Sequence, residues 1–418
     1  MKYNFFKMGN YNLYLIKSEK FKTISLSMHL RCEDNKEDVV YRKLLRNYLL
    51  SGTKKFPNLN SFNKEKLNLY NPFININSYV YGLDRSFVIQ AQFTNEKYTE
   101  KGMNEKNINF ILDVLYNPKI NGKKFDKETF EIVKHDYIED LKSLKDSPSL
   151  YSKERLFEEM KTGKFEILNT KEKIELAKKI DETKLYKYYQ NLFETNSLDI
   201  FICGNFSENK MKKLIEKLIK GNFKFKEKNR YITYDKIIPK PIEIIENSST
   251  SQSNLAIGLK FKDLTDFERK YVSTIYTGIL GISWNSKLLQ VVREQNSLCY
   301  SIYATKDISR STLYIYAGID AENYEKTLKL IKKQTLAMQK GEFTENDILQ
   351  HIQTYTNSLI EIEDNQMDVM NNLISEILSN TDSVSKRKEN ISKVTKEDII
   401  NIAKKISYDT IYLLKGGK

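Results

Sequence analysis

The sequence predicts an α+β protein made of two tandem, related domains, and three observations carry that prediction. Segments alternating apolar and polar residues are interleaved with amphipathic helical patterns, which excludes an all-α or all-β chain. The order of these segments repeats after a Lys-rich, loosely patterned stretch from Gly221 to Asp235 and the prolines Pro239 and Pro241. Two long helical segments share residue types at one spacing. Phe125 and Phe343 stand 218 residues apart (343 − 125), as do Tyr137 and Tyr355, Leu141 and Leu359, and Asp146 and Asp364. A chain of 418 residues also exceeds what one hydrophobic core serves. The domains are expected at 1–225 and 242–418, joined by a linker at 226–241.

In order, strands are expected at Tyr11 to Ile16 and Ile24 to Leu30. In the second, Ile24, Leu26, Met28 and Leu30 form one face and Ser25, Ser27 and His29 the other. A helix runs from Asp38 to about Leu50, closed by Ser51-Gly52, and strands at Ile74 to Val80 and Phe87 to Phe93 flank a turn at Gly82-Leu83-Asp84. Helical patterns cover Asn107 to Tyr116, Lys127 to about Leu144, Tyr151 to Met160 and Glu182 to Phe193, with Asp146-Ser147-Pro148 as a stop. A strand at Leu198 to Cys203 and a helix at Glu208 to Leu218 end the half. Beyond the linker come strands at Ile242 to Ile245 and Ser253 to Phe261, then helices at Phe267 to Leu280 and Lys287 to Val292. Strands through Leu298 to Ala304 and at Thr312 to Ala317 precede a helix at Glu322 to Gln339. One very long helix follows, Glu345 to about Leu378; a helix at Lys396 to Ile406 and a strand at Thr410 to Leu414 close the chain.

Composition narrows the function classes. Hydrophobic residues make up 40% and charged residues 29%, the balance of a soluble globular protein. The formal charge of +13 would suit a polyanion, yet the lysines are dispersed and no block of five or six basic residues occurs, so a solvated surface is expected and no nucleic-acid ligand. Cys32, Cys203 and Cys299 lie far apart in apolar runs, as buried free thiols of a reducing compartment do. No leader pattern and no run of 18 apolar residues appears, which predicts a cytoplasmic protein without a membrane span.

The most informative stretch is Val291 to Ala304. It reads as a helix end, a polar break at Gln295 to Ser297, and a strand in which Leu298, Tyr300, Ile302 and Ala304 alternate with Cys299, Ser301 and Tyr303. This brings Arg293 and Tyr300 together at a helix-to-strand corner. Arg offers a planar fork of donors to a carboxylate or backbone carbonyl, and Tyr a hydroxyl that can donate from a second direction. A peptide suits such a pair. Elsewhere chemistry is sparse: His29, His135 and His351 have no i, i+4 partner and read as structural or solvent-facing. Ser283, in Gly281-Ile282-Ser283-Trp284-Asn285, lacks the second glycine of a nucleophile elbow and has no evident base.

Taken together, the duplicated unit and the Val292-Arg293-Glu294-x-x-Ser297-Leu298-Cys299-Tyr300-Ser301 corner resemble the pitrilysin and insulinase-like peptidases, the inverted zincins. The likeness spans the whole chain and is most specific from Ser253 to Asp320, including Gly278-Ile279-Leu280-Gly281 and Gly318-Ile319-Asp320. The resemblance implies two domains, each a mainly antiparallel sheet covered by helices, facing each other across a chamber. Members that cleave peptides carry His-x-x-Glu-His on a helix just before a Gly-Thr pair, two His binding zinc and the Glu activating water. Here Gly52-Thr53 follows Lys43-Leu44-Leu45-Arg46-Asn47, and the third ligand position falls on Asp140 or Glu139. Lys and Arg do not ligate zinc at neutral pH, so the metal positions Lys43, Arg46, Asn47 and Asp140 are degenerate and no cofactor is expected in this chain. What the resemblance retains is Arg293 and Tyr300, which in the family bind substrate backbone near the scissile bond. It implies a chain inactive alone, the non-catalytic subunit of a heterodimeric zinc metalloendopeptidase whose zinc sits in a paralogous partner. A stand-alone peptide-binding or scaffold protein of the same fold is the alternative.

Overall fold

The computed structural model describes residues 2–160, 167–226, 228, 231 and 240–417. The expected linker at 226–241 lies largely outside them. In chain order come β1 (Asn4–Met8), β2 (Tyr11–Lys17), β3 (Thr23–Glu33), α1 (Asp38–Leu50), α2 (Leu59–Asn68), β4 (Phe73–Tyr81), β5 (Asp84–Thr94) and α3 (Met103–Tyr116). A small ladder, β6 (Ile120–Asn121) with β7 (Lys124–Phe125), leads to α4 (Lys127–Lys142), α5 (Pro148–Glu159), α6 (Thr170–Lys179), α7 (Glu182–Thr195), β8 (Ser197–Gly204) and α8 (Glu208–Leu218). The second half holds β9 (Ile242–Ser248), β10 (Ser253–Phe261), α9 (Ser273–Thr277) between two π-turns, β11 (Cys299–Asp307) and β12 (Thr312–Ile319). Then follow α10 (Tyr324–Gln339), α11 (Glu345–Glu361), α12 (Gln366–Leu378), α13 (Val384–Ile391), α14 (Lys396–Lys404) and β13 (Ile406–Gly416).

The α+β class holds, and so does the duplication. The first sheet has the order β1-β2-β8-β3-β5-β4 and the second β11-β12-β10-β13-β9. Read from β2 and from β9, the two orders coincide strand for strand, each with one parallel pair, β2 with β8 and β9 with β13, and antiparallel pairs elsewhere. The central strands carry equivalent buried ion pairs. Arg31 on β3 meets Asp199 on β8 at 2.9 Å, and Lys260 on β10 meets Asp409 on β13 at 2.7 Å, every side chain nearly inaccessible. Each charge is thereby paired inside the sheet, without which its burial would cost several kcal/mol.

The compact units are not continuous in the chain. The first comprises Met1–Leu141, Thr170–Asn229 and Ile362–Asn380, and the second Lys142–Asn169, Arg230–Glu361 and Thr381–Lys418, so two segments are shared out differently from the continuous spans 1–225 and 242–418. The helix predicted from Glu345 to Leu378 is corrected to two helices. A 3-10 turn at Ile362–Asp364 ends the first, and Asn365, extended at φ −120° and ψ 128°, caps the second by accepting from the Met367 backbone N–H at 2.8 Å. The matching first-half pattern also breaks, at the 3-10 turn Ser143–Asp146 and Ser147, just before Pro148. After each break the helix covers a sheet. In the first unit Val369, Met370, Leu373, Ile374 and Leu378 of α12 pack on Tyr14, Ile16, Phe201 and Cys203. In the second, Tyr151 and Leu156 of α5, with Met160 just beyond it, pack on Ala256, Tyr314, Tyr316, Tyr412 and Leu414. A Cβ built on Gly258 would lie 2.1 Å from Met160 Sδ, so glycine leaves the space that Met160 fills.

Gln366 pins the start of α12 to its sheet. Its Nε2 donates to the backbone carbonyls of Thr23 (2.9 Å) and Cys203 (2.8 Å), and its Oε1 accepts from Ser25 Oγ (2.9 Å) and Gln92 Nε2 (3.1 Å). Gln366→Leu removes both ends of this network at once and leaves buried groups unpaired. It is expected to lower unfolding free energy by about 2 kcal/mol or more, read from urea denaturation.

Candidate functional site

The Arg293/Tyr300 corner forms as a π-helical turn, Leu289–Glu294, runs into β11. The chain reverses at Ser297, held at φ 51°, with Ser297 N–H donating to the Arg293 carbonyl (2.9 Å) and Leu298 N–H to that of Val292 (3.1 Å). The alternation read from sequence is corrected at the first strand residues. Cys299 pairs with Ile319 and Ser301 with Gly318, so Tyr300 is the extra residue of a β-bulge. Cys299, Ile302 and Ala304 therefore face the core together, whereas Tyr300, 60% exposed, and Ser301 and Tyr303 face outward. Regular alternation would have put Tyr300 beside Ile302, in the core.

Arg293 is about half exposed, its nearest carboxylate being Glu294 at 3.7 Å. The Tyr300 hydroxyl donates to Asp320 Oδ1 at 2.9 Å, and this bond, with the carboxylate's charge, raises the phenol pKa. Asp320 follows β12 directly, and nothing local to Tyr300 in the sequence points to it. The hairpin register, which pairs Cys299 with Ile319, is the signal that could have. Burial pushes the Cys299 thiol up to about 11, with Arg293 opposing and Glu294 reinforcing the shift.

In the first unit, α1 brings Lys43, Arg46 and Asn47 to one face by their i, i+3, i+4 spacing. Arg46 Nε donates to the Ile76 backbone carbonyl of β4 and Nη1 to Asn47 Oδ1 (2.9 Å). Lys43 is half-buried; burial depresses its pKa, the Arg46 charge adds to that, and Asp140, exposed on α4, opposes it. This donor set does not fit zinc: it offers two cations and an amide whose oxygen is already engaged. Among the described residues, no group of three His, Cys, Asp or Glu side chains is placed to hold a metal. One turn from Arg46, sequence reasoning missed Arg42, fully buried, with Nε donating to Tyr188 Oη (2.9 Å) and Nη2 to Cys32 Sγ (2.8 Å).

His29 is buried between Ser27 Oγ (2.9 Å) and Ser86 Oγ (3.3 Å) and edge-on to Phe201, and burial, aided by Arg31, lowers its pKa to about 3. His135 is exposed on α4. Ser283 does have a nearby ring nitrogen, contrary to the expectation: His351 Nε2 lies 3.5 Å from its Oγ. That hydroxyl donates to Asn285 Oδ1 instead, so the pair does not form a base-activated nucleophile. All three cysteines are free, Cys203 and Cys299 buried and Cys32 partly so. No described helix is long and apolar enough to cross a membrane.

Residues 179–355 match a family model described as "Peptidase M16 inactive domain". The chain is 28% identical to "Probable inactive metalloprotease YmfF" of Bacillus subtilis, over 98% of its own length and 97% of the relative's. The chain resembles the pitrilysin-like, or M16, peptidases. This likeness to proteins described as inactive accords with the two cations and the amide that α1 carries. A second relative, in the same bacterium, is "Uncharacterized zinc protease YmxG", 25% identical over 61% of this chain and 62% of that protein. In fold, the chain is similar to a conserved protein from Enterococcus faecalis, with a TM-score of 0.87 at 21% identity and 99% of each chain covered.

After incubation with equimolar Zn2+ and desalting, elemental analysis of the purified chain is expected to find far less than one zinc per chain. Native His29 stays neutral down to about pH 3, whereas the unfolded chain takes up that proton near 6.5, so stability falls as pH drops across that interval. His29→Gln is expected to flatten the pH dependence of the urea midpoint between those values.

Proposed function

We propose that this M16 homologue is the non-catalytic subunit of a heterodimeric zinc metallopeptidase that processes peptides. It closes the chamber against a paralogous, zinc-bearing subunit and supplies Arg293 and Tyr300 to bind substrate backbone beside the partner's metal. The observation that carries this reading is the contrast within one chain: an exposed Arg293/Tyr300 corner in the second unit, and cations on the α1 face where the family's ligands stand. The occurrence of an inactive-type and a zinc-protease relative in one bacterium supports a division of labour between paralogues. Backbone hydrogen bonds that strengthen in the transition state would raise turnover as well as binding.

The test is co-expression with a His-x-x-Glu-His paralogue from the same genome, followed by size exclusion and cleavage of a quenched fluorogenic peptide. A complex that cleaves is expected, with Arg293→Ala and Tyr300→Phe leaving assembly intact and lowering kcat/KM by about 10- to 100-fold. Undiminished cleavage by both variants would sink the role given to the corner. A chain that binds peptide but never a paralogue would favour the stand-alone peptide-binding protein.

A further inference from the structure

Arg293 and Tyr300 differ in what they can still offer a ligand. A guanidinium only donates, and a phenol has one proton. That proton is committed, because the Tyr300 hydroxyl lies 2.9 Å from Asp320 Oδ1 and an ionised carboxylate only accepts. The oxygen of Tyr300 is then left as an acceptor, on a side chain that is 60% exposed. Both partners are held by backbone. Tyr300 is the bulged residue of β11, the outermost strand of its sheet, and Asp320 follows Ile319, the ladder partner of Cys299. The Asp320 carbonyl also accepts from Asn323 N–H at 3.0 Å, closing the turn that sets the carboxylate's direction.

We infer that Asp320 is a positioning residue that fixes the hydrogen-bond sense of Tyr300, so that the corner pairs donors on Arg293 with an acceptor on Tyr300 and selects an extended peptide segment bearing an N–H opposite the phenol. The inference rests on the peptide-binding reading of this corner and sharpens it. Arg293 takes a substrate carbonyl and the Tyr300 oxygen takes an amide N–H, matching the donor–acceptor edge of an extended backbone. A proline or N-alkylated residue at the position facing Tyr300 leaves that acceptor unpaired and is disfavoured. Without Asp320 the phenol is free to donate, accepts carbonyl and N–H ligands alike, and the selection disappears.

The experiment uses the full-length chain and the tightest-binding member of a fluorescein-labelled positional hexapeptide library, remade as its set of singly N-methylated variants. Fluorescence anisotropy is expected to find one backbone position where N-methylation weakens binding to the wild type by about three- to tenfold. Asp320→Ala and Tyr300→Phe should each bring that penalty close to onefold. Asp320→Asn, which keeps size and removes charge, should reduce it and guards against a folding defect, checked by an unchanged melting curve. A wild-type chain with no position-specific penalty, or a penalty that survives Asp320→Ala, overturns this inference and leaves peptide binding standing. A wild-type chain that binds no library member overturns the peptide-site reading and the inference with it.

Discussion

Each sheet carries apolar residues on both faces, and this constraint organises the whole chain. Half of each strand packs into a helix-covered core, but Tyr14, Ile16, Phe201 and Cys203 in one unit, and Ala256, Tyr314, Tyr316 and Tyr412 in the other, point the opposite way and need their own cover. The cover comes from a single helix placed after a break in the chain, at Ser147 and at Asn365. Had the pattern from Glu345 continued unbroken, it would have formed a rod of about 50 Å that could not turn back onto a sheet. The breaks are thus as much a part of the fold as the strands. Gln366 shows how closely the returning helix is tied down, since its side-chain amide bonds to two backbone carbonyls of the sheet it covers.

Local rigidity at the Arg293/Tyr300 corner has the same origin. The π-turn, the left-handed Ser297 and the bulge at Tyr300 are successive departures from regular structure, each stabilised by neighbours: two backbone bonds close the turn, and Cys299, Ile302 and Ala304 anchor the strand in the core. Bulges gather where a side chain must be aimed, and here the result is a phenol turned outward on an edge strand. Asp320 sits within reach because the hairpin register brings the end of β12 alongside the start of β11.

Much of this was legible in the sequence, and what was not has identifiable causes. Period-two alternation marked the buried strands, and the fixed spacing of Tyr137 with Tyr355 and Asp146 with Asp364 exposed the duplication, because the tyrosines sit at equivalent positions inside α4 and α11 and the aspartates in the 3-10 turns that end them. The break at Asn365 was hidden because the helical period runs through it. Helix α2 escaped notice since Phe62 is its only buried residue, leaving no apolar stripe to detect. The orientation of Tyr300 required knowing the bulge, and the approach of His351 to Ser283 joins residues 68 positions apart, which spacing alone does not reveal.

On the α1 face, Arg46 is tied into the fold at the position where the resemblance to zinc peptidases would place a glutamate. Arg46 now serves the fold, since its guanidinium satisfies the Ile76 carbonyl of β4 and holds the Asn47 amide. A carboxylate in its place would leave that carbonyl unpaired and face it with a like partial charge. Lys43 would have to be exchanged together with Arg46, because either cation left alone would sit where a dication must bind. Installing His-x-x-Glu-His therefore demands three coordinated changes and a new partner for Ile76, whereas Arg293 and Tyr300 stand on a turn whose backbone bonds do not depend on their side chains. On the proposed reading, selection acting on such a chain meets high barriers to gaining zinc chemistry and low ones to keeping or retuning a binding corner, so its function is expected to evolve at Arg293, Tyr300 and Asp320.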